Sequence, residues 1–207
     1  MEADDQEESK KKKKKQRPFW IELPGLLLTA LAIAVVVKTF LFQPFWIPTP
    51  SMDPTIQIND RVMVNKVVMN FSDINRFDIV VFRDPAAPEI EDSFFQAVVR
   101  SVLEAVGIQT RGKEDLIKRV IALPGETITI QNNQVLIDGA PLDEPHLPEG
   151  VQMPDEGPVT LGDDEVFVMG DNRQQSFDSR AFGPIPVADV IGKAFLIIWP
   201  LSHFGSL

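Results

Sequence analysis

The feature that most constrains this chain is an apolar segment that runs from Leu23 to Phe42. It contains 20 residues, and Lys38 is its one charged residue. A helix of this length measures about 30 Å, which is the thickness of the hydrocarbon core of a bilayer. A buried core helix is rarely so uniformly apolar, and a cleavable signal peptide has a shorter apolar region followed by a pair of small residues. The sequence "QPFWIP" that follows contains no such pair. We therefore predict an uncleaved transmembrane anchor over residues 22–43.

The charges on the two sides of this segment differ. Residues 1–17 carry seven cations and five anions, whereas residues 44–207 carry 12 cations and 24 anions. Cationic residues beside a membrane helix stay on the cytoplasmic side. We therefore predict a disordered cytoplasmic tail over 1–21, a single pass through the cell membrane, and an extracytoplasmic domain over 44–207. The lipid bilayer is thus a predicted partner, and nucleic acid is not, because a domain this acidic is poorly suited to bind phosphates.

Beyond the anchor, apolar residues recur with a period of two, which is typical of β-strands. The two asparagines Asn132 and Asn133 predict a hairpin turn, because asparagine tolerates positive φ. Two proline-rich segments, "DEPHLPEG" and "MPDEGPV", are predicted to be loops. The fold class is therefore mainly β, with one transmembrane helix followed by an antiparallel β-rich domain. Its predicted strands lie within 60–68, 77–82, 115–123, 126–139, 165–170 and 190–199.

Residues 92–108 interrupt this pattern, because their apolar residues have helical spacing. The segment predicts a helical insertion packed on the sheet. An apolar stripe so close to a membrane could also lie in the membrane interface.

The segment "TPSMDPT", residues 49–55, places Ser51 on a turn between prolines just after the anchor. Such a serine is commonly structural, bonding to nearby backbone. As a nucleophile it would need a base. The chain has two histidines, His146 and His203, both in loop-like contexts, so a Ser-His-Asp triad is poorly supported. There is no cysteine, no HExxH motif and no glycine-rich phosphate loop. The sequence therefore predicts neither a metal nor a cofactor.

Lys118 is the alternative base. In "LIKRVIA" it shares a strand face with Leu116, Val120 and Ala122 by period-two counting. An amine on an apolar face loses hydration, which lowers its pKa and makes the neutral form accessible near neutral pH. The same pattern also suits a lysine at a strand edge whose amine extends to water.

A third segment, "GDNRQQSFDSR" at residues 170–180, is dense in side chains that bond to backbone and to one another. Ser176, Asp178 and Arg180 could form a small polar network with an ion pair between the last two. A calcium loop is the competing interpretation. However, the spacing of the acidic residues does not match a calcium-loop pattern, and Arg173 and Arg180 would repel a cation.

Together, an apolar anchor followed by "IPTPSMDPT", then "IKRVIALPGE", then "GDNRQQSFDSR" resembles the bacterial type I signal peptidases, which are Ser/Lys endopeptidases. The resemblance covers about Leu23 to Trp199, excluding the 92–108 insertion. It implies a membrane enzyme that removes N-terminal signal peptides from exported preproteins after small residues at −1 and −3. The implied partners are these signal peptides and the secretion translocon.

The resemblance also assigns roles to residues of this chain. Ser51 is the nucleophile, Lys118 the general base, and Ser176 the residue that orients the amine. The hydroxyl of Thr49 joins the Ser51 N–H in the oxyanion hole. Family members often have Ser-Gly where this chain has Thr49-Pro50, and threonine keeps the hydroxyl. The remaining implied positions are the supporting ion pair Asp178 and Arg180, with Asp171 and Arg173 in the same loop, and the substrate pocket of Ile47, Met52 and Ile117.

A second function is compatible with the same pattern. A non-catalytic, membrane-anchored β domain that binds partners at the outer face would keep the strands but would place no amine beside Ser51.

Overall fold

The computed structural model describes residues 19–67, 74–86 and 115–207 of the chain. The helical insertion predicted at 92–108 lies outside the described residues, as does most of the predicted tail.

The first element is a helix, α1, at Phe19–Phe40. The helix begins before residue 22, the predicted start of the anchor. It ends before residue 43, the predicted end, because the first strand starts at Phe42. Where the side chains of α1 are described, large apolar ones are exposed by 56–68%: Leu26, Leu27, Leu28, Leu31 and Ile33. A search of the described residues for a helix with the length and apolarity needed to cross a membrane finds none.

The rest of the described chain is mainly β, as predicted. Twelve strands form two sheets, and every pairing among the described strands is antiparallel. The larger sheet has the order β1-β2-β11-β3-β4-β9-β10, with β12 also paired to β11; the smaller has the order β7-β6-β5-β8. The strands are β1 Phe42–Trp46, β2 Arg61–Asn65, β3 Ile79–Arg83, β4 Asp115–Ala122, β5 Thr127–Gln131, β6 Gln134–Ile137, β7 Ala140–Pro141, β8 Glu156–Thr160, β9 Glu165–Met169, β10 Ile185–Pro186, β11 Val190–Trp199 and β12 Gly205–Ser206.

The predicted hairpin at Asn132-Asn133 is confirmed. The two residues have φ of 51° and 62°, and Gln131 pairs with Gln134 across the turn. Two successive positive φ values give the turn a twist that matches the twist of the flanking strands.

The prediction of a loop for "MPDEGPV" was wrong in part, because β8 begins at Glu156. The strand contains Pro158, which cannot donate to a ladder. This residue is tolerated because β8 lies at the edge of the smaller sheet and pairs with β5 alone. A short helix at Ser179–Phe182, α2, was also not predicted.

Three apolar clusters hold the domain together. The first surrounds Met52 and Ile56 beneath the 49–55 turn, the second joins the two sheets, and the third packs Val80 and Val120 on the other side of the larger sheet. Full burial of one such side chain contributes about 1.5–3 kcal/mol. The turn that bears Ser51 therefore rests on a packed core.

Candidate active site

Two polar side chains that are 67 residues apart in sequence meet at the turn after β1. The Lys118 amine donates a hydrogen bond of 2.9 Å to Ser51 Oγ, and a second of 2.8 Å to the Ile117 carbonyl. Ser51 is 5% exposed and Lys118 is 2% exposed. The structure thus brings together the two residues that the sequence proposes as nucleophile and base.

Lys118 owes its burial to its place in the larger sheet. It lies in β4 opposite Val80 of β3, and Val80, Leu116 and Val120 pack in one cluster. The third predicted neighbour, Ala122, follows a β-bulge and packs in a different cluster. Loss of hydration lowers the pKa of Lys118 from 10.5 to about 8, although Asp178, Asp171 and Asp84 oppose this change by attracting the charged amine. The neutral amine is therefore accessible near neutral pH.

The Ser51 turn has its own internal hydrogen bonds. Asp53 N–H donates to the Pro50 carbonyl over 3.1 Å, and Ile56 N–H donates to the Met52 carbonyl over 2.9 Å. The Thr49 hydroxyl donates to Ser51 Oγ over 3.3 Å. Thr49 therefore contacts the proposed nucleophile itself in this structure.

The segment 170–173 lies against this turn. Gly170 is required at its position, because an added Cβ would overlap both Ser176 Oγ and the Ser51 carbonyl oxygen. Asn172 contacts the turn twice: its N–H donates to the Ser51 carbonyl over 3.1 Å, and its Nδ2 donates to the Pro50 carbonyl over 3.2 Å.

Asp178 and Arg180 form a bidentate ion pair with both distances at 2.8 Å. The same carboxylate accepts the Gly170 N–H over 3.0 Å, which ties the pair to the backbone beside Ser51. Burial acts to raise the pKa of Asp178, but the hydrogen bonds and charge of Arg180, together with the Gly170 N–H, outweigh it and lower the pKa.

Ser176 lies close to the centre, but among the described residues no hydrogen bond joins it to Lys118. Its Oγ is buried and has no partner with good hydrogen-bond geometry in the described part of the chain, although it lies close enough to Asp178 to help lower the pKa of that carboxyl group. A cleft of about 590 Å³ opens beside Ser176 and Arg180 and includes neither Ser51 nor Lys118. We therefore do not identify that cleft with the reacting centre.

The residues proposed for the substrate pocket share one apolar cluster. Ile47, Met52 and Ile117 are 2%, 0% and 8% exposed. The cluster lies next to both residues of the centre, because Met52 directly follows Ser51 in the sequence and Ile117 directly precedes Lys118.

A second set of charged residues was missed by sequence reasoning. Arg119 holds Asp171 in a bidentate pair of 2.8 and 2.6 Å, and Arg173 binds Glu144 with both of its terminal nitrogens. The motif contains Asp171 and Arg173 but does not identify their partners, because Arg119 and Glu144 carry no distinguishing pattern in the sequence. The two pairs fix the segment that carries Asn172.

His146 lies beside these ion pairs and not beside Ser51. Its Nε2 is buried without a hydrogen bond to the described residues, 3.7 Å from Asp171 and 4.0 Å from Glu144. Burial, helped by the charge of Arg119, lowers the pKa of His146. His203 bonds to Asp60 over 2.8 Å. Neither histidine is hydrogen-bonded to Ser51, in agreement with the absence of a triad.

Among the described residues, no cluster of histidine and acidic side chains could hold a metal ion. The calcium interpretation of 170–180 is further weakened because Asp171 and Asp178 both have arginine partners.

A buried serine hydroxyl beside a desolvated lysine amine, on an antiparallel β framework, is an arrangement that suits a hydrolase with a serine nucleophile. Comparison with known proteins specifies the family. The family model described as "Signal peptidase, peptidase S26" matches residues 20–199. The chain therefore belongs to the signal peptidase family, peptidase S26, and is a signal peptidase of the hydrolase class.

Two relatives agree with this assignment. Signal peptidase I of Mycobacterium tuberculosis is 35% identical, over 89% of this chain and 74% of that protein. Signal peptidase I of Bacillus amyloliquefaciens is 30% identical, over 86% of each chain. A crystal structure of a signal peptidase I from Enterococcus faecalis is 26% identical, with a TM-score of 0.42 over 59% of this chain and 97% of that one.

Proposed function

We propose that this protein is a membrane-anchored serine endopeptidase that removes signal peptides from exported preproteins with a Ser51–Lys118 dyad. The observation that carries the proposal is the 2.9 Å contact between Lys118 Nζ and Ser51 Oγ in a buried environment. A serine hydroxyl is a weak nucleophile until a neighbouring base takes its proton. With the pKa of Lys118 at about 8, the neutral amine can accept that proton over the existing contact.

The reaction then follows in two halves. Ser51 Oγ attacks the carbonyl carbon of the −1 residue while its proton passes to Lys118 Nζ. The tetrahedral intermediate collapses, the carbon–nitrogen bond breaks, and Lys118 gives the proton to the leaving amine of the mature protein. Water then attacks the acyl-enzyme while Lys118 accepts its proton. The ester bond breaks, Lys118 returns that proton to Ser51 Oγ, and the signal peptide leaves as a carboxylic acid that ionises to a carboxylate. The same amine thus serves as base and then as acid in each half.

The negative charge on the oxygen of the tetrahedral intermediate must be stabilised by hydrogen-bond donors. The Ser51 N–H donates to no described residue, so it is available to the oxyanion. We assign the Thr49 hydroxyl as the second donor, for which it must turn from Ser51 Oγ, 3.3 Å away, to the developing oxyanion. Ser176 is proposed to orient the Lys118 amine, for which its hydroxyl must turn towards Nζ, because no hydrogen bond joins the two groups among the described residues.

Substrate binding is proposed at the edge of β4. Strand β9 pairs with β4 from Arg119 onwards, so Leu116 and Ile117 have a strand partner only on the β3 side within the described residues. An extended peptide can add to such an edge, and alternate side chains then point the same way. The −1 and −3 side chains would meet the apolar cluster that contains Ile47, Met52 and Ile117.

The membrane anchor and its topology are part of the same proposal. They are supported by the uniformly apolar sequence from Leu23 to Phe42, by the cationic residues before it, and by the exposed apolar side chains of α1. Enzyme and substrate held in one bilayer meet at a raised effective concentration.

The test is cleavage of a preprotein with an A-x-A site by the purified full-length protein in detergent micelles. Wild-type protein should release the signal peptide, and Ser51→Ala should release none while keeping its thermal unfolding temperature. Turnover by Ser51→Ala would remove Ser51 as the nucleophile. A serine-reactive phosphonate that labels wild type but not Ser51→Ala would separate the peptidase from a non-catalytic β domain.

A further inference from the structure

Asn172 makes a pair of contacts that none of the roles above uses. Its N–H bonds to the carbonyl of Ser51, and its side-chain Nδ2 bonds to the carbonyl of Pro50, which is 122 residues away in sequence. A carbonyl oxygen only accepts, so the amide nitrogen of Asn172 must face Pro50. One residue therefore holds two successive carbonyls of the turn that carries the nucleophile.

The Pro50 carbonyl and the Ser51 N–H belong to the same peptide group. This group is planar and trans, so its C=O and N–H point in opposite directions. Fixing the carbonyl oxygen therefore fixes the direction of the N–H. The Ser51 N–H is the backbone donor assigned to the oxyanion, and it is directed by whatever holds the Pro50 carbonyl.

We infer that the side chain of Asn172 is a positioning residue that aims the Ser51 N–H at the oxyanion through the Pro50 carbonyl. The inference rests on the proposed function and deepens it. Proline at position 50 limits the φ angle of that residue to about −65°. The turn must therefore reach its geometry by other means, and a hydrogen bond from outside the turn supplies one.

Among the described residues, the Pro50 carbonyl has one other donor, the N–H of Asp53 within the turn. A carbonyl oxygen has two lone pairs, so the two donors together saturate it and define its direction. The Asp53 bond moves with the turn, whereas Asn172 belongs to a separate segment. Of these two bonds, only the one from Asn172 ties the Pro50 carbonyl to a segment outside the turn.

Asn172 is itself well anchored. Asp171 before it is held by Arg119, and Arg173 after it is held by Glu144 and donates to the Gly170 carbonyl over 3.0 Å. An anchored donor costs little reorganisation at the moment of reaction, which is the condition for effective oxyanion stabilisation.

The test compares Asn172→Asp and Asn172→Ala in the full-length enzyme. Asn172→Asp keeps the shape of the side chain but replaces the donor with an acceptor, and Asn172→Ala removes the side chain while the backbone bond to Ser51 remains. We expect kcat to fall by about tenfold to hundredfold in both, since misdirecting an oxyanion donor costs less than deleting one. KM and the unfolding temperature should stay unchanged in both variants. The pKa of about 8 in the pH profile should stay unchanged in Asn172→Ala, because pocket and general base are untouched, whereas the added carboxylate of Asn172→Asp raises it.

Gln175→Glu is the matched control, because it places the same new charge on an exposed residue of the same segment. It should keep wild-type kcat. A kcat within twofold of wild type in either Asn172 variant would overturn the inference. So would a fall in kcat that comes with a lower unfolding temperature or, in Asn172→Ala, with a displaced pH profile, which would indicate general structural damage. If wild type itself fails to cleave the preprotein, the proposed function is at fault, and not the role of Asn172 alone.

Discussion

Replacement of Lys118 tests the mechanism most directly. At pH 7, an amine with a pKa of about 8 is neutral in about a tenth of the molecules, whereas one at the ordinary value of 10.5 is neutral in about three in ten thousand. Burial of Lys118 thus raises the reactive fraction by about 300-fold. We expect kcat/KM to increase about tenfold per pH unit up to pH 8 and then to reach a plateau.

Lys118→Arg and Lys118→Met should both be inactive, because a guanidinium does not release its proton at these pH values and a thioether cannot accept one. Lys193→Arg is the matched control. Lys193 lies in β11 and is paired with Asp78 over 2.6 Å, and arginine can keep that pair. This variant should retain wild-type kcat/KM.

The same burial has a consequence for stability with a defined sign. The pKa of Lys118 is lower in the folded protein than in the unfolded chain, so unfolding takes up a proton between pH 8 and 10.5. The lysine therefore lowers the free energy of unfolding below pH 8, by about 3 kcal/mol, and this cost disappears as the pH rises to 10.5. Lys118→Met should consequently unfold at a higher temperature than wild type at pH 7.

Cleavage of the preprotein is measured from about pH 5 to about pH 10, a range that includes the lowered pKa of Lys118. Thermal unfolding is monitored by circular dichroism. An acid limb centred near pH 8 that persists in Lys118→Met would refute the dyad. Substantial cleavage by Lys118→Arg would do the same.

Three further outcomes are expected. Thr49→Val should lower kcat by about 10²–10³-fold with KM unchanged, while Thr49→Ser should keep most of the activity; a near-normal kcat for Thr49→Val would remove this hydroxyl from the oxyanion hole. The pKa of His146 is lowered on folding, so the unfolded chain binds the proton more readily and wild type should lose stability as the pH falls below about 6.5. His146→Gln should lose less over that range in acid unfolding experiments, and an identical pH dependence would show that His146 does not titrate as described. Protease added outside right-side-out vesicles should digest residues 44–207 and spare the tail, and the reverse protection pattern would overturn the topology.

Much of the β framework was predictable from the sequence, because most strands have a pattern of apolar residues that can be recognised within the strand itself. Period-two alternation identified the central strands, and Asn132-Asn133 identified a hairpin whose φ values depend only on its own residues. Strand β8 was not predictable in this way. Its glycine and proline are typical of a loop, and the strand exists because the edge of β5 offers a partner.

In the candidate site, too, some features could be predicted from local sequence and others depend on contacts between distant segments. Ser51, Lys118 and the Asp178–Arg180 pair could be proposed from short segments, since each motif carries its own chemistry. That Lys118 is buried deeply enough to change its pKa depends on Val80 from another strand, and on the sheet order that places β3 beside β4.

Residues that act across the fold could not be found from the sequence. The contacts of Asn172 with Pro50 and of Arg119 with Asp171 join positions that are 122 and 52 residues apart. No periodicity or spacing along the chain relates such positions, because the distance between them is set by how the 170–173 segment packs on the turn after β1. The sequence by itself determined which groups could do the chemistry. The tertiary structure decided which of them meet and in what direction they point, because hydrogen bonds depend on distances and angles that exist only after the sheets have packed.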